Sequence, residues 1–291
     1  MRKKLLIAAV SVLVPALSVF AVLQLAKTKK DAEFDRMTEL TQALIYTAPD
    51  GAVLPYRIYV PQNYDPANAY PLVLSLHGSG ARGDDNVSQL ERPPWKSIVF
   101  ELLSSENLEK YPCIVLAPQC PKDEYWTTRP DEDNPNNAEA LMGLLEQTRN
   151  TYAVDAARIY ITGTSMGGFG TWGMLRYYPG YFAAAVPVCG GWYLDAPNEP
   201  ELAALRMKDT PIWVFHGAKD KSVPPERSRE MVSLLQKAGA NDVRYTEYPK
   251  GKHNINGKAY AEPELLAWLF AQTKNMEASL CIARTLSAER A

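Results

Sequence analysis

The sequence predicts an α/β fold: a mostly parallel central sheet with helices on both faces and an antiparallel hairpin at its N-terminal side. Three observations point there. Short, nearly continuous apolar runs at 71–76, 114–118, 159–162, 183–188 and 211–215 read as strands buried on both faces. Segments with helical spacing separate them, the alternation that yields parallel strands joined by crossovers. The length, 291 residues with 46% apolar side chains, allows one large core.

In chain order, the first thirty residues stand apart from that fold. Arg2, Lys3 and Lys4 precede an uncharged stretch over 5–26, and Lys27, Lys29 and Lys30 close it. A basic start followed by an apolar stretch is the layout of an export signal. At 1.5 Å per residue a helix over 5–26 would run about 33 Å, enough to span a bilayer core. Val19-Phe20-Ala21 offers a small-residue cleavage site, so a removed signal peptide and a retained transmembrane anchor both fit. Either places the rest of the chain outside the cytoplasm, exported to the periplasm or medium or held at the membrane.

From about residue 40 to 272 the pattern reads as one domain. Leu44-Ile45-Tyr46 and 56–60 flank the Pro49-Asp50-Gly51 turn and form the expected hairpin. The strand at 71–76 ends in His77-Gly78-Ser79-Gly80, and 114–118 follows as another strand. Residues 129–137, rich in Pro, Asp and Asn, read as a loop. Beyond it Ala138, Leu141, Leu144, Leu145 and Thr148 share one face of an amphipathic helix. Strands at 159–162, 183–188, 211–215 and 243–248 come next, with helices at 168–178, 225–238 and 261–272. The stretch 192–210 is a short insertion with room for a small cap. The tail over 273–291, with Met276, Leu280 and Ile282, has no clear place in the core and reads as a loosely docked helix.

Chemistry is concentrated at Gly163-Thr164-Ser165-Met166-Gly167, between the 159–162 strand and the 168–178 helix. A G-x-S-x-G in that position is the nucleophile elbow of α/β-hydrolases, where glycines clear space so that the serine hydroxyl stands above the sheet. A hydroxyl is a weak nucleophile until a base takes its proton, and the base needs an acid to orient it. Three histidines are available. His77 and His216 each precede a glycine at a strand end and read as turn residues. His253 follows the last strand and precedes the last helix, the place for a general base and acid. Asp220 follows the 211–215 strand and is the acid the order requires. Asp209 and Asp242 precede strands and fall at the opposite edge of the sheet. Backbone N–H groups of Met166 and Ser79 are the expected oxyanion donors.

A resemblance then becomes specific. Leu76 to Asn86, Ala117-Pro118-Gln119-Cys120-Pro121 with Trp126, Gly163 to Gly168, Cys189-Gly190-Gly191 and Phe215 to Asp220 follow one another in order. Together they resemble the α/β-hydrolases that include poly(3-hydroxybutyrate)-depolymerase-like and feruloyl-esterase-like carboxylesterases, some labelled predicted peptidases. The resemblance covers about 40–272 and implies a serine carboxylesterase with Ser165, Asp220 and His253 as its triad. It implies support of the loops by His77, Gly78, Arg82, Asp84, Asn86, Gly163 and Gly167. Gln119, Trp126 and Trp192 follow strand ends on the presumed active-site side and are candidates for lining a pocket. The expected substrate is a small-molecule or polysaccharide-linked ester.

Other classes fare less well. A formal charge of −2, with both signs scattered, gives no footprint for nucleic acid. The cysteines lack a C-x-x-C spacing and the histidines are dispersed, so no metal or other cofactor is expected. Cys113 and Cys120, about 20 Å apart along one extended strand, cannot pair, and Cys189 and Cys281 lie elsewhere. A serine peptidase of prolyl-oligopeptidase type would use the same triad. A non-catalytic envelope binding protein on the same scaffold is the third reading, and an intact triad in chain order argues against it.

Overall fold

The computed structural model describes residues 31–91, 96–127, 137–192 and 199–274. Residues 31–40 are helical (α1) and belong to a unit of their own, in which Thr38 Oγ1 donates to the Phe34 carbonyl at 3.0 Å. The export or anchor segment expected at 1–30 lies outside the described residues, as does the tail from 275. Among the described residues no helix is long and apolar enough to cross a membrane.

Residues from Thr41 onward build one eight-stranded sheet in the order β1-β2-β4-β3-β5-β6-β7-β8. The strands are β1 (Gln42–Thr47), β2 (Val53–Tyr59), β3 (Tyr70–Leu76), β4 (Ile114–Pro118), β5 (Val154–Thr164), β6 (Ala184–Val188), β7 (Ile212–Gly217) and β8 (Val243–Tyr248). β1 pairs antiparallel with β2, and β2 antiparallel with β4; every later pairing is parallel. Strand order reverses around β3, which has β4 on one side and β5 on the other. A crevice therefore opens at the carboxyl ends of β3 and β5, where ligands bind in open α/β sheets.

Alternation along the strands covers both faces. Helices α2 (Ile98–Leu102) and α3 (Asn107–Lys110) lie between β3 and β4 in the chain. Leu72, Leu74, Leu76, Ile114, Leu116, Ile159 and Ile161 pack in one apolar cluster with side chains of α4 (Ala138–Thr151), α5 (Met166–Tyr177), α6 (Glu199–Met207) and α7 (Glu226–Lys237). Between them Tyr160, Thr162 and Trp213 point to the opposite face. There they meet α8 (Asn256–Tyr260) and α9 (Leu265–Ala271). Tyr160 stands edge-on to Phe270, Trp213 edge-on to Trp268, and Thr162 Oγ1 lies 3.0 Å from the Tyr260 hydroxyl.

Three elements differ from the sequence reading. The expected 261–272 helix begins only at Leu265 as α9, with the separate short helix α8 ending before it at Tyr260; Pro263 disfavours helical backbone at Glu262 and keeps the two apart. β5 begins at Val154, five residues early, with its first half only partly buried. Within 192–210, α6 buries Ala203, Ala204 and Met207 in the cluster that holds Met231, Val232 and Leu235 of α7. That helix thickens the layer over the sheet instead of forming a cap; 193–198 lie outside the described residues. The 129–137 loop is outside them too, except Asn137. Cys113, Cys120 and Cys189 are buried free thiols, and Cys281 is not among the described residues.

Candidate active site

The turn at the end of β5 forces Ser165 to φ 56 and ψ −116, a conformation that costs a non-glycine residue about 1–3 kcal/mol. Its neighbours make that turn possible. A Cβ on Gly167 would lie 2.0 Å from the Leu76 carbonyl oxygen, and one on Gly163 2.3 Å from that of Gly167. Strand β3, paired to β5 through Leu76 and Gly163, thus passes directly beneath the serine. The Ser165 amide donates to the Val188 carbonyl of β6 at 2.9 Å, which pins the turn from the other side.

Two loops bring partners to the hydroxyl. Lys219 N donates to the Gly251 carbonyl at 2.8 Å and Ala218 N to that of Tyr248 at 3.0 Å, tying the loop after β7 to the loop after β8. His253, from the second loop, places Nε2 2.9 Å from Ser165 Oγ and Nδ1 2.7 Å from Asp220 Oδ2. The imidazole keeps 23% of its side-chain surface exposed, while the Asp220 side chain has none. Burial alone would raise the Asp220 carboxyl. The bond from His253 and the amides of Val223 and Ser222 outweigh it and hold the group below its ordinary value. The flanking Lys219 and Lys221 are exposed and make no ion pair with it.

Opposite the serine runs the turn after β3. A Cβ on Gly78 would stand 3.7 Å from that of Ser165. Ser79 follows Gly78 in that turn and Met166 follows Ser165, and among the described residues neither amide donates to a backbone carbonyl outside its own helix. The turn itself is bound from behind. His77 is buried, with Nδ1 2.7 Å from the Gly78 carbonyl and Nε2 accepting the Cys120 amide at 2.9 Å. That acceptor must be unprotonated, and burial accordingly lowers its pKa to about 4. Arg82 donates to the Ser79 and Glu124 carbonyls, and the Asn86 side chain donates to the Leu44 carbonyl at 2.9 Å. Buried Arg57 donates to the Asn86 carbonyl and to Thr41, fastening the loop to the sheet edge.

Four of the expected positions take other roles. Asp84 is exposed and makes no hydrogen bond among the described residues; its neighbour Asp85 accepts from Val87, Ser88 and Gln119 instead. Gln119, fully buried, bridges Asn86, Ala81 and Asp85, so it braces the loop. Trp126 is also fully buried, donating to the His77 carbonyl at 3.0 Å with its ring edge-on to that imidazole. Trp192 is 4% exposed and packs under Arg176. The Trp126 indole thus holds down the turn after β3, and the Trp192 ring packs against Arg176 of α5.

Sequence reasoning missed two groups. His216, read as a turn residue, lies 3.3 Å from Asp220 Oδ2. Glu91 accepts the Gly78 amide at 2.9 Å, and no spacing in the sequence marks it. Among the described residues, Cys189, His216 and Asp220 form the one trio whose ligand atoms come within 4.8 Å of one another. Burial pushes the Cys189 thiol up to about 12, and both other groups are committed to hydrogen bonds. The trio belongs to the hydrogen-bond network around the acid.

Comparison with known proteins agrees with this geometry. The family model described as phospholipase/carboxylesterase matches residues 63–262. A solved thermostable esterase is 37% identical, with a TM-score of 0.72 over 81% of this chain and 64% of that one. Poly(3-hydroxyalkanoate) depolymerase C of Paucimonas lemoignei is 28% identical over 57% of this chain and 44% of its own length. Acetylxylan esterase A of Emericella nidulans is 32% identical over 46% of this chain and 41% of its own. This chain thus spans less than half of either curated relative.

Proposed function

We propose that the chain, which belongs to the phospholipase/carboxylesterase family, is a serine carboxylesterase working through an acyl-enzyme intermediate. The observation that carries the reading is the unbroken relay from Ser165 Oγ through His253 to Asp220, at 2.9 and 2.7 Å. In this mechanism His253 Nε2 takes the hydroxyl proton as Ser165 Oγ bonds to the ester carbonyl carbon. The Ser79 and Met166 amides receive the oxyanion. His253 returns the proton to the departing alcohol, leaving an acyl group on Ser165. Water then repeats the sequence, with His253 as base, and releases the acid. No step needs a cofactor.

Esters of short or aromatic acids, free or attached to polysaccharide or polymer, are the proposed substrate class, supported by relatives named as a polyhydroxyalkanoate depolymerase, an acetylxylan esterase and a feruloyl esterase. Such polymers are met outside the cell, which accords with the export signal or membrane anchor expected over residues 1–30. Ser165→Ala should lower turnover of a short p-nitrophenyl ester by roughly six orders of magnitude without changing the circular dichroism spectrum. Retained turnover in pure protein overturns the assignment. Equal turnover of an ester and its matching amide would instead favour the peptidase reading.

A further inference from the structure

The Asp220 carboxylate has a second imidazole against it. His216 is fully buried, with Nε2 3.3 Å from Asp220 Oδ2 and 3.1 Å from the Val223 carbonyl. Its Nδ1 lies 2.8 Å from Ser228 Oγ, which in turn lies 3.0 Å from the Gly190 carbonyl. Counting protons selects the tautomer. Both carbonyls and the ionised carboxylate only accept, so the imidazole and the hydroxyl must supply every proton. With the ring proton on Nδ1, the Nε2 lone pair would face a carbonyl and a carboxylate at once. With it on Nε2, the ring N–H donates to the Val223 carbonyl and turns its positive end toward Asp220 Oδ2 at 3.3 Å, and the Ser228 hydroxyl serves Nδ1 or the Gly190 carbonyl. A cationic ring would meet every contact, but burial pushes His216 below its ordinary value, with the Val223 carbonyl and Asp220 opposing only in part.

We propose that His216, neutral and protonated on Nε2, is a positioning residue for the Asp220–His253 pair. It acts in two ways. Its N–H dipole tempers the charge on Oδ2, the oxygen that faces His253 Nδ1. Its bond to the Val223 carbonyl also fixes the 220–223 turn, whose Ser222 and Val223 amides donate to Oδ1 at 2.8 and 3.0 Å. Contacts on both oxygens leave the carboxylate one orientation. The other titratable groups facing this cluster cannot substitute. The Cys189 thiol is neutral, and Glu247, paired with His216 across β7 and β8, is bound by Arg229 and Tyr245.

The proposal rests on the triad reading, yet the tautomer can be read without turnover. In protein labelled with ¹⁵N-histidine, a nitrogen–proton correlation spectrum at neutral pH should show His216 Nε2 protonated and Nδ1 bare. The resonance is assigned by its loss in His216→Gln. A proton on Nδ1, or on both nitrogens, overturns the proposal even if Ser165→Ala behaves as expected. Kinetics give the second readout. His216→Leu should lower kcat about tenfold with KM within about twofold. The acidic limb of its pH–rate profile should move to higher pH, because the untempered carboxylate favours the protonated form of the neighbouring imidazole. His216→Gln, which keeps an N–H donor, should bring the limb back. A folded leucine variant with unchanged kcat and limb overturns the proposal, as does a limb that glutamine fails to restore. Should the leucine variant not fold, the glutamine limb and the tautomer decide.

Discussion

Glu91 sits where a single ionisation reaches the reaction. Its backbone is left-handed at φ 57, and Oε1 accepts the Gly78 amide, one residue before the proposed oxyanion donor Ser79. Burial raises its carboxyl to about 8, and the Gly78 hydrogen bond offsets only part of that. At neutral pH the group is protonated and harmless. Above that value a negative charge appears beside a developing oxyanion and raises the barrier by repulsion. We expect kcat/KM on a neutral ester to fall as pH rises through about 8, and Glu91→Gln to abolish that fall. The stability consequence has a definite sign. A folded value above the unfolded 4.5 means stability is fully present below 4.5 and lost as pH rises through about 8. The glutamine variant should therefore melt above the parent at alkaline pH and alongside it near pH 4.5. An alkaline limb that survives in Glu91→Gln refutes the assignment.

Strand β5, its turn and helix α5 act as one element, and the tightest point in it is Gly167. A methyl group there would overlap the Leu76 carbonyl oxygen, and Leu76 is fixed by its pairing in the sheet. Either the turn or the end of β3 must move. Gly167→Ala should cost roughly 3 kcal/mol or more and remove ester turnover, measured by urea unfolding and initial rates. Gly80→Ala, with nothing within 4 Å of the added carbon, should leave unfolding unchanged. Equal stability of the Gly167 variant and the parent would mean that the turn is not close-packed. This element was legible in the sequence because its signals are local: an apolar strand, glycines at fixed offsets, then a helix. The α8–α9 break was missed although its signal, Pro263, is equally local. The aromatic positions were not legible, since spacing places Trp126 at a strand end but leaves its side undecided. His216 and Glu91 were hidden for a related reason. Each gains its role from a tertiary approach, to Asp220 and to Gly78, that leaves no periodic trace.

At the scale of the whole molecule, buried imidazoles set the response to acid. Asp220 and Asp85 are both held below the ordinary carboxylate value by hydrogen bonds that outweigh their burial. Their contributions are present above the unfolded 3.8 and are lost only as pH falls through the lower folded values. The histidines act earlier. His77 has an unfolded value of 6.5 and a folded value near 4, so across that interval the unfolded chain binds a proton that the folded one refuses. Stability is therefore full above 6.5 and falls with pH, by up to about 1.4 kcal/mol per unit for one such residue and about 3 kcal/mol in all. His216, also lowered by burial, adds to the same decline. The effect extends through the fold because His77 Nε2 holds the Cys120 amide just beyond β4, while Trp126 binds the His77 carbonyl at the end of β3. Protonating that ring releases the ends of two central strands together with the turn facing Ser165. Urea unfolding at closely spaced pH values should show stability dropping between 6.5 and 4, before Asp85 and Asp220 lose their contributions. His77→Gln, whose carbonyl can still accept the Cys120 amide, should flatten the slope by close to one proton. A parent protein with constant stability down to pH 4 would show that these imidazoles are not buried in the neutral form.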